Sequence, residues 1–245
     1  MRTVGAQAAK AGQAEVLRLL HEDEAARSTL GLATAREGFT PAHFAANFGH
    51  SACLHALREL GCCGLHEPDS KGRTPAHLAA MTGREPCLRA LALSSAASAA
   101  AGGSAQLEAV DAAGWAPAHY AARGEHDGSL RALAALGVSA AGFGAQTPGG
   151  ESVAMLAASK GSLACLRALG GREQGAPATL LLADGEGRTA AFHAVQGLDD
   201  AQGAGVLRLL LQLGAARQLP ASLEHPAQAL PPQFPSTCPR VPRVL

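Results

Sequence analysis

Three histidines occupy matching places in a recurring motif. They are His43 in Gly38-Phe39-Thr40-Pro41-Ala42-His43, His77 in Gly72-Arg73-Thr74-Pro75-Ala76-His77, and His119 in Gly114-Trp115-Ala116-Pro117-Ala118-His119. Imidazoles ligate metals and move protons near neutral pH, so a metal or acid–base centre is the first chemistry to test. The three lie 34 and 42 residues apart, each on a different helix pair, and do not converge. Cys62, Cys63 and His66 form the only cluster with short metal-like spacing, but a zinc site needs a second half that is absent. Gly49-His50-Ser51-Ala52-Cys53 is one residue short of a G-x-S-x-G nucleophile elbow, with Ser51 in the nucleophile's place. That elbow needs a preceding strand and a glycine where Cys53 stands. A serine hydrolase around Ser51 is therefore only a remote alternative. No phosphate-binding loop, dinucleotide fingerprint or zincin motif is present. The expectation is no catalytic residue, no metal and no cofactor.

What positions these residues is a repeat. The Gly-x-Thr-Pro stretch recurs, with weaker copies at Gly150-Glu151-Ser152-Val153-Ala154-Met155 and Gly187-Arg188-Thr189-Ala190-Ala191-Phe192. Successive Thr positions (40, 74, 116, 152, 189) are 34, 42, 36 and 37 residues apart. Within each copy, glycine permits the positive φ of a tight turn, Thr caps a helix, and Pro fits the first helical position. Fourteen residues after the Thr position stands Leu54, Leu88, Leu130 or Leu166, with Leu57, Leu91, Leu133 or Leu169 three further on. That spacing predicts the buried stripe of a second helix. Cys53, Cys87, Ser129 or Cys165 precedes the first leucine, and these cysteines are expected to fill the core as small hydrophobes. Each unit therefore reads as turn, Ala-faced helix, tight link, Leu-faced helix.

The motif resembles the ankyrin repeat, whose period is about 33 residues and whose signature reads T-P-L-H-x-A. The resemblance runs from about residue 3 to 215. It implies an all-α solenoid of about six helix-turn-helix repeats: an atypical N-terminal cap at 3–35, then units at about 36–68, 69–110, 111–146, 147–183 and 184–215. Ala42, Ala76 and Ala118 replace the family's leucine, which predicts a thinner local core. Ser94–Ser104 is a low-complexity run expected to extend a loop. Leu207 lies 18 residues after Thr189, which predicts a link about four residues longer near Gly197–Gly203, with Asp199 or Asp200 as a cap. Seven prolines in 216–245 predict an irregular, disordered tail, where two P-x-x-P matches are read as chance.

Composition narrows the function classes. Twenty basic residues balance twenty acidic ones, which argues against nucleic-acid binding. No apolar run is long enough to span a membrane, and no signal-peptide pattern opens the chain. Six cysteines without an export signal suggest a reducing cytosolic or nuclear compartment. The arginines Arg18, Arg89, Arg131, Arg167 and Arg208 read as a solvated outer face.

The resemblance also implies where binding would occur. In the family, the residue before the motif Thr lies near the turn tip, and the two after the alanine pair lie on the first helix's exposed face. In this chain the tips are Phe39, Arg73, Trp115, Glu151 and Arg188. The helix positions are Asn47 and Phe48, Met81 and Thr82, Arg123 and Gly124, and Ser159 and Lys160. Phe39, Phe48 and the sole tryptophan, Trp115, are expected to be exposed there in a chain only 3% aromatic. The implied function is protein–protein recognition by a monomer, as an adaptor or as an inhibitory or assembly subunit covering a partner enzyme.

Overall fold

The computed structural model describes residues 3–28, 30–34, 37–62, 64–93, 105–171 and 177–213. The run 94–104, the Cys63 member of the cysteine cluster and the tail 216–245 lie outside the described residues.

Helices alternate with turns along the chain: α1 (Val4–Ala11), α2 (Ala14–Glu22), α3 (Glu24–Arg27), α4 (Pro41–Phe48), α5 (Ser51–Glu59), α6 (Pro75–Met81), α7 (Glu85–Leu93) and α8 (Ala105–Glu108). There follow α9 (Pro117–Arg123), α10 (Asp127–Ala135), α11 (Ala140–Gly144), α12 (Val153–Ser159), α13 (Leu163–Leu169), α14 (Pro177–Leu180), α15 (Ala190–Gly197) and α16 (Asp200–Gln212). The expected pairs are α1/α2, α4/α5, α6/α7, α9/α10, α12/α13 and α15/α16. First helices stack on first helices and second on second, each pair touching the next. The extended structure among the described residues is two isolated antiparallel bridges, Gln146–Ser152 and Ala183–Thr189, each closing the neck of a turn.

The starts of these helices follow from the residues at their N-caps. Thr3, Ser152 and Asp199 accept with their side chains from Ala6, Met155 and Gln202 backbone N–H groups. Thr3 thus stands at the start of α1 as Ser152 stands at the start of α12. Gly12 and Gly49 end α1 and α4 in the left-handed region at φ 76° and 86°, where a side chain would be strained.

The core runs the length of the stack. Ala45, Ala46, Ala79, Ala80, Ala121, Ala122, Ala157 and Ala158 are fully buried, and their small side chains let neighbouring first helices approach closely. Leu54, Leu88, Leu130 and Leu166 are buried on the second helices, each stabilising the fold by about 1.5–3 kcal/mol. Cys53, Cys87 and Cys165 are buried free thiols, and burial pushes Cys87 up to about 11, leaving no thiolate at neutral pH.

Two features differ from the sequence reading. The four extra residues of the last pair do not lengthen its link, which is only Leu198–Asp199. They lengthen α16 to 13 residues, because Asp199 caps it early. Short helices α3, α8, α11 and α14 also occupy the connections. In α11, Phe143 is buried, and Ser139 is held by Glu108, whose carboxylate accepts from its backbone N–H at 2.8 Å.

Candidate functional site

Three of the turns begin at an aspartate. Asp69 Oδ1 accepts from the backbone N–H groups of Lys71 and Arg73, both at 2.8 Å. Asp111 does the same for Ala113 and Trp115, and Asp184 for Glu186 and Arg188. Thr147 takes the place in the fourth turn and accepts from Glu151 N–H. A short side-chain acceptor suits this closure of its own turn. Burial alone would raise the Asp69 carboxyl, but the Arg73 and Lys71 N–H groups and the Arg73 guanidinium outweigh it and hold it below its usual value.

These aspartates decide what the tips present. At the tips occupied by Arg73 and Arg188, each guanidinium turns back onto its own turn. Arg73 Nε donates to Asp69 Oδ2 at 2.8 Å, and Arg188 Nε to Asp184 Oδ2 at 2.7 Å. A buried carboxylate left without a partner would be costly, so the arginine four residues on is captured. At the Asp111 turn, Tyr120 takes over, its hydroxyl donating to Oδ2 at 2.6 Å.

Phe39 and Trp115 are half-buried rather than free. Phe39 stacks on His43 with ring centres 5.4 Å apart, and the Arg73 guanidinium lies 5.7 Å from its ring centre. Trp115 packs against Tyr120 at 5.3 Å, with the Arg123 guanidinium also 5.3 Å from its ring centre. On the helix ends, Asn47, Met81, Thr82 and Ser159 are half-buried, while Phe48, Arg123, Gly124 and Lys160 are exposed. Phe48 is 42% exposed, with the Lys10 ammonium 5.4 Å from its ring centre.

The motif histidines join one repeat to the next. His43, His77 and His119 are fully buried. Each Nδ1 accepts from the N-cap backbone N–H of its own helix, at residues 40, 74 and 116, over 3.0–3.1 Å. That fixes the proton on Nε2, which donates to the carbonyl of Arg73, Trp115 or Ala145 in the following turn, at 2.9, 3.0 and 3.0 Å. Burial lowers the basicity of all three imidazoles, in agreement with a neutral ring.

A second histidine pair points the other way and escaped the sequence reading. His50 Nε2 donates to the carbonyl of Lys10, and His126 Nε2 to that of Met81, both at 3.1 Å and both in the preceding first helix. The available signal was their shared place just before a second helix. Room for the rings comes from Gly12 and Gly83, where an added Cβ would lie 2.7 and 2.8 Å from them.

This arrangement also bears on Ser51. Its neighbour His50 is committed to the Lys10 carbonyl, and helix α4, not a strand, precedes it. Cys62 is half-buried, and among the described residues no group of three or more His, Cys, Asp or Glu side chains gathers as a metal site. Three of the outer arginines form ion pairs: Arg18 with Glu15 and Glu59, Arg89 with Glu85, and Arg131 with Asp127. Among the described residues no helix is long and apolar enough to cross a membrane.

Residues 5–101 match the family model described as ankyrin repeats, in three copies. No curated protein matches the chain. The same capped turn, Ala-faced helix and Leu-faced helix continue from Asp111 to Gln212. Residues 5–101 are thus a run of ankyrin repeats.

Proposed function

We propose that this chain is a protein-interaction module that binds a partner protein along its turn tips and first-helix ends and performs no chemistry itself. Ankyrin repeats are generally modules of this kind. The observation that carries the reading is a row of three cations on three aromatic rings: Lys10 on Phe48, Arg73 on Phe39, and Arg123 on Trp115. Tryptophan and arginine are enriched among residues that dominate binding energy. Phe48, Arg123 and Lys160 offer the most accessible contacts, Asn47 and Met81 fill in between them, and Arg73 and Arg188 present only the outer edges of paired guanidiniums. Stacked helices hold this row rigid, so little ordering entropy is lost on docking. Zero formal net charge supports a protein over a nucleic acid as partner.

The test compares affinity purifications made with the intact chain, with a Phe48→Ser/Arg123→Glu variant, and with an Arg167→Glu/Arg208→Glu variant on the outer second-helix face. The expected result is a partner retained by the intact chain and the outer-face variant, and lost with Phe48→Ser/Arg123→Glu while circular dichroism stays unchanged. Equal retention by all three would remove the assignment.

A further inference from the structure

The two ends of the stack are not alike. Three register positions are covered by the next repeat wherever one follows. One holds His43, His77, His119 or Met155; another holds Ala46, Ala80, Ala122 or Ala158; the third holds Leu54, Leu88, Leu130 or Leu166. All twelve residues are buried. In the last described pair the same positions hold Phe192, Val195 and Leu207. Phe192 is 43% exposed, Val195 63% exposed and Leu207 half-exposed. Terminal repeats of a solenoid normally turn a polar outer face to water. At the opposite end exposed Gln7 stands where Phe44, Leu78, Tyr120 or Leu156 stands in later units, although Val4 and Leu19 are exposed in that pair.

The chain continues past this open face, and its next residues have the chemistry to cover it. Pro220-Ala221-Ser222-Leu223 repeats the Pro-Ala-x-apolar step of Pro41-Ala42-His43-Phe44, Pro75-Ala76-His77-Leu78 and Pro117-Ala118-His119-Tyr120. The fourth residue of that step packs back on the preceding repeat, as Tyr120 does on His77 with ring centres 5.9 Å apart. The turn glycine and aspartate have no counterpart before Pro220, so the segment matches a first helix without its turn. Only seven residues separate the end of α16 at Gln212 from Pro220. Such a short tether gives a very high local concentration at an adjacent surface.

We infer that residues 219–230 dock on the α15–α16 end face as an abbreviated capping unit, with Leu223 against Phe192. A second copy of the chain on that face is the competing occupant.

Hydrogen–deuterium exchange on the full chain decides this. Amides of 219–225 are expected to exchange about ten-fold or more slowly than their unstructured rates, independent of protein concentration. Leu223→Asp should abolish that protection and speed exchange in α15, while α4–α7 amides stay unchanged. Phe192→Asp should likewise release 219–225. Unprotected exchange of 219–225 in the unaltered chain overturns the proposal, and that reading needs no variant to fold. Protection of α15 that grows with protein concentration and survives Leu223→Asp would assign the face to a second copy and equally overturn it.

Discussion

His77 Nε2 donates to the carbonyl of Trp115 at 3.0 Å, 38 residues further along the chain, while its Nδ1 accepts the Thr74 N–H at 3.0 Å. One buried ring therefore closes its own helix cap and clasps the next repeat. Replacing it with leucine leaves a buried N–H and a buried carbonyl unpaired. His77→Leu is expected to destabilise the chain by about 2–4 kcal/mol, read from the urea unfolding midpoint. Met155 fills the same position in the fourth unit, but there Ser152 Oγ supplies the cap by accepting from Met155 N–H. A His77→Met variant should therefore lose nearly as much as His77→Leu, since residue 74 keeps a backbone N–H that only an acceptor can satisfy.

The same histidines set a pH dependence. Burial lowers His43, His77 and His119 below the ordinary value near 6.5 that they recover on unfolding. The unfolded chain then binds more protons, so stability rises with pH across this range. The contribution is fully present above about pH 6.5 and is lost as pH falls from there through the folded values. Thermal melts between about pH 7.5 and 5 should show a falling midpoint, and His77→Leu should flatten the slope. Asp69 does not confuse the result, because its depressed carboxyl gives up stability only at lower pH.

The repeat was legible because the same physical need recurs: Thr40 and Thr74 cap, Pro41 and Pro75 start helices, and Leu54 and Leu88 line the core. The roles of Asp69, Asp111 and Asp184 were visible only as spacing, since an aspartate four residues before a tip reads as ordinary turn composition until its hydrogen bonds are seen. That hidden role changed the tips most, because it recruits Arg73 and Arg188 inward. The long link expected after α15 failed for a similar reason: spacing counts residues but does not say whether a cap such as Asp199 turns them into helix. His50 and His126 went unread because their partners, the carbonyls of Lys10 and Met81, leave no mark in the sequence.

Ser129 stands where Cys53, Cys87 and Cys165 stand in other units, and its buried hydroxyl has no hydrogen-bond partner. Desolvating a hydroxyl without compensation is unfavourable. Ser129→Ala or Ser129→Cys is expected to raise stability by about 1 kcal/mol, measured by chemical denaturation. Destabilisation by both substitutions would show that the hydroxyl is satisfied in solution.

Two turn glycines share a φ of 76° but not their surroundings. At Gly72 a Cβ would lie 2.7 Å from the Ala112 backbone N, whereas at Gly187 nothing lies within 4 Å. Gly187→Ala should therefore cost only the left-handed backbone penalty, about 1–2 kcal/mol. Gly72→Ala should cost more, because it also pushes apart the turns joined by the Ala112 N–H to Lys71 carbonyl bond at 3.0 Å. Equal losses at the two sites would show that the turns yield freely.

The first two histidine clasps end on the main-chain carbonyls of Arg73 and Trp115, the very residues whose side chains differ from turn to turn. A carbonyl is the same whatever side chain its residue bears. The joint between units is thus blind to the identity of the tip it grips. What constrains the side chains at residues 73 and 115 is therefore not this joint but their own contacts, Arg73 with the buried Asp69 carboxylate and Trp115 with Tyr120. Adhesion between units and the character of a tip are set by separate interactions.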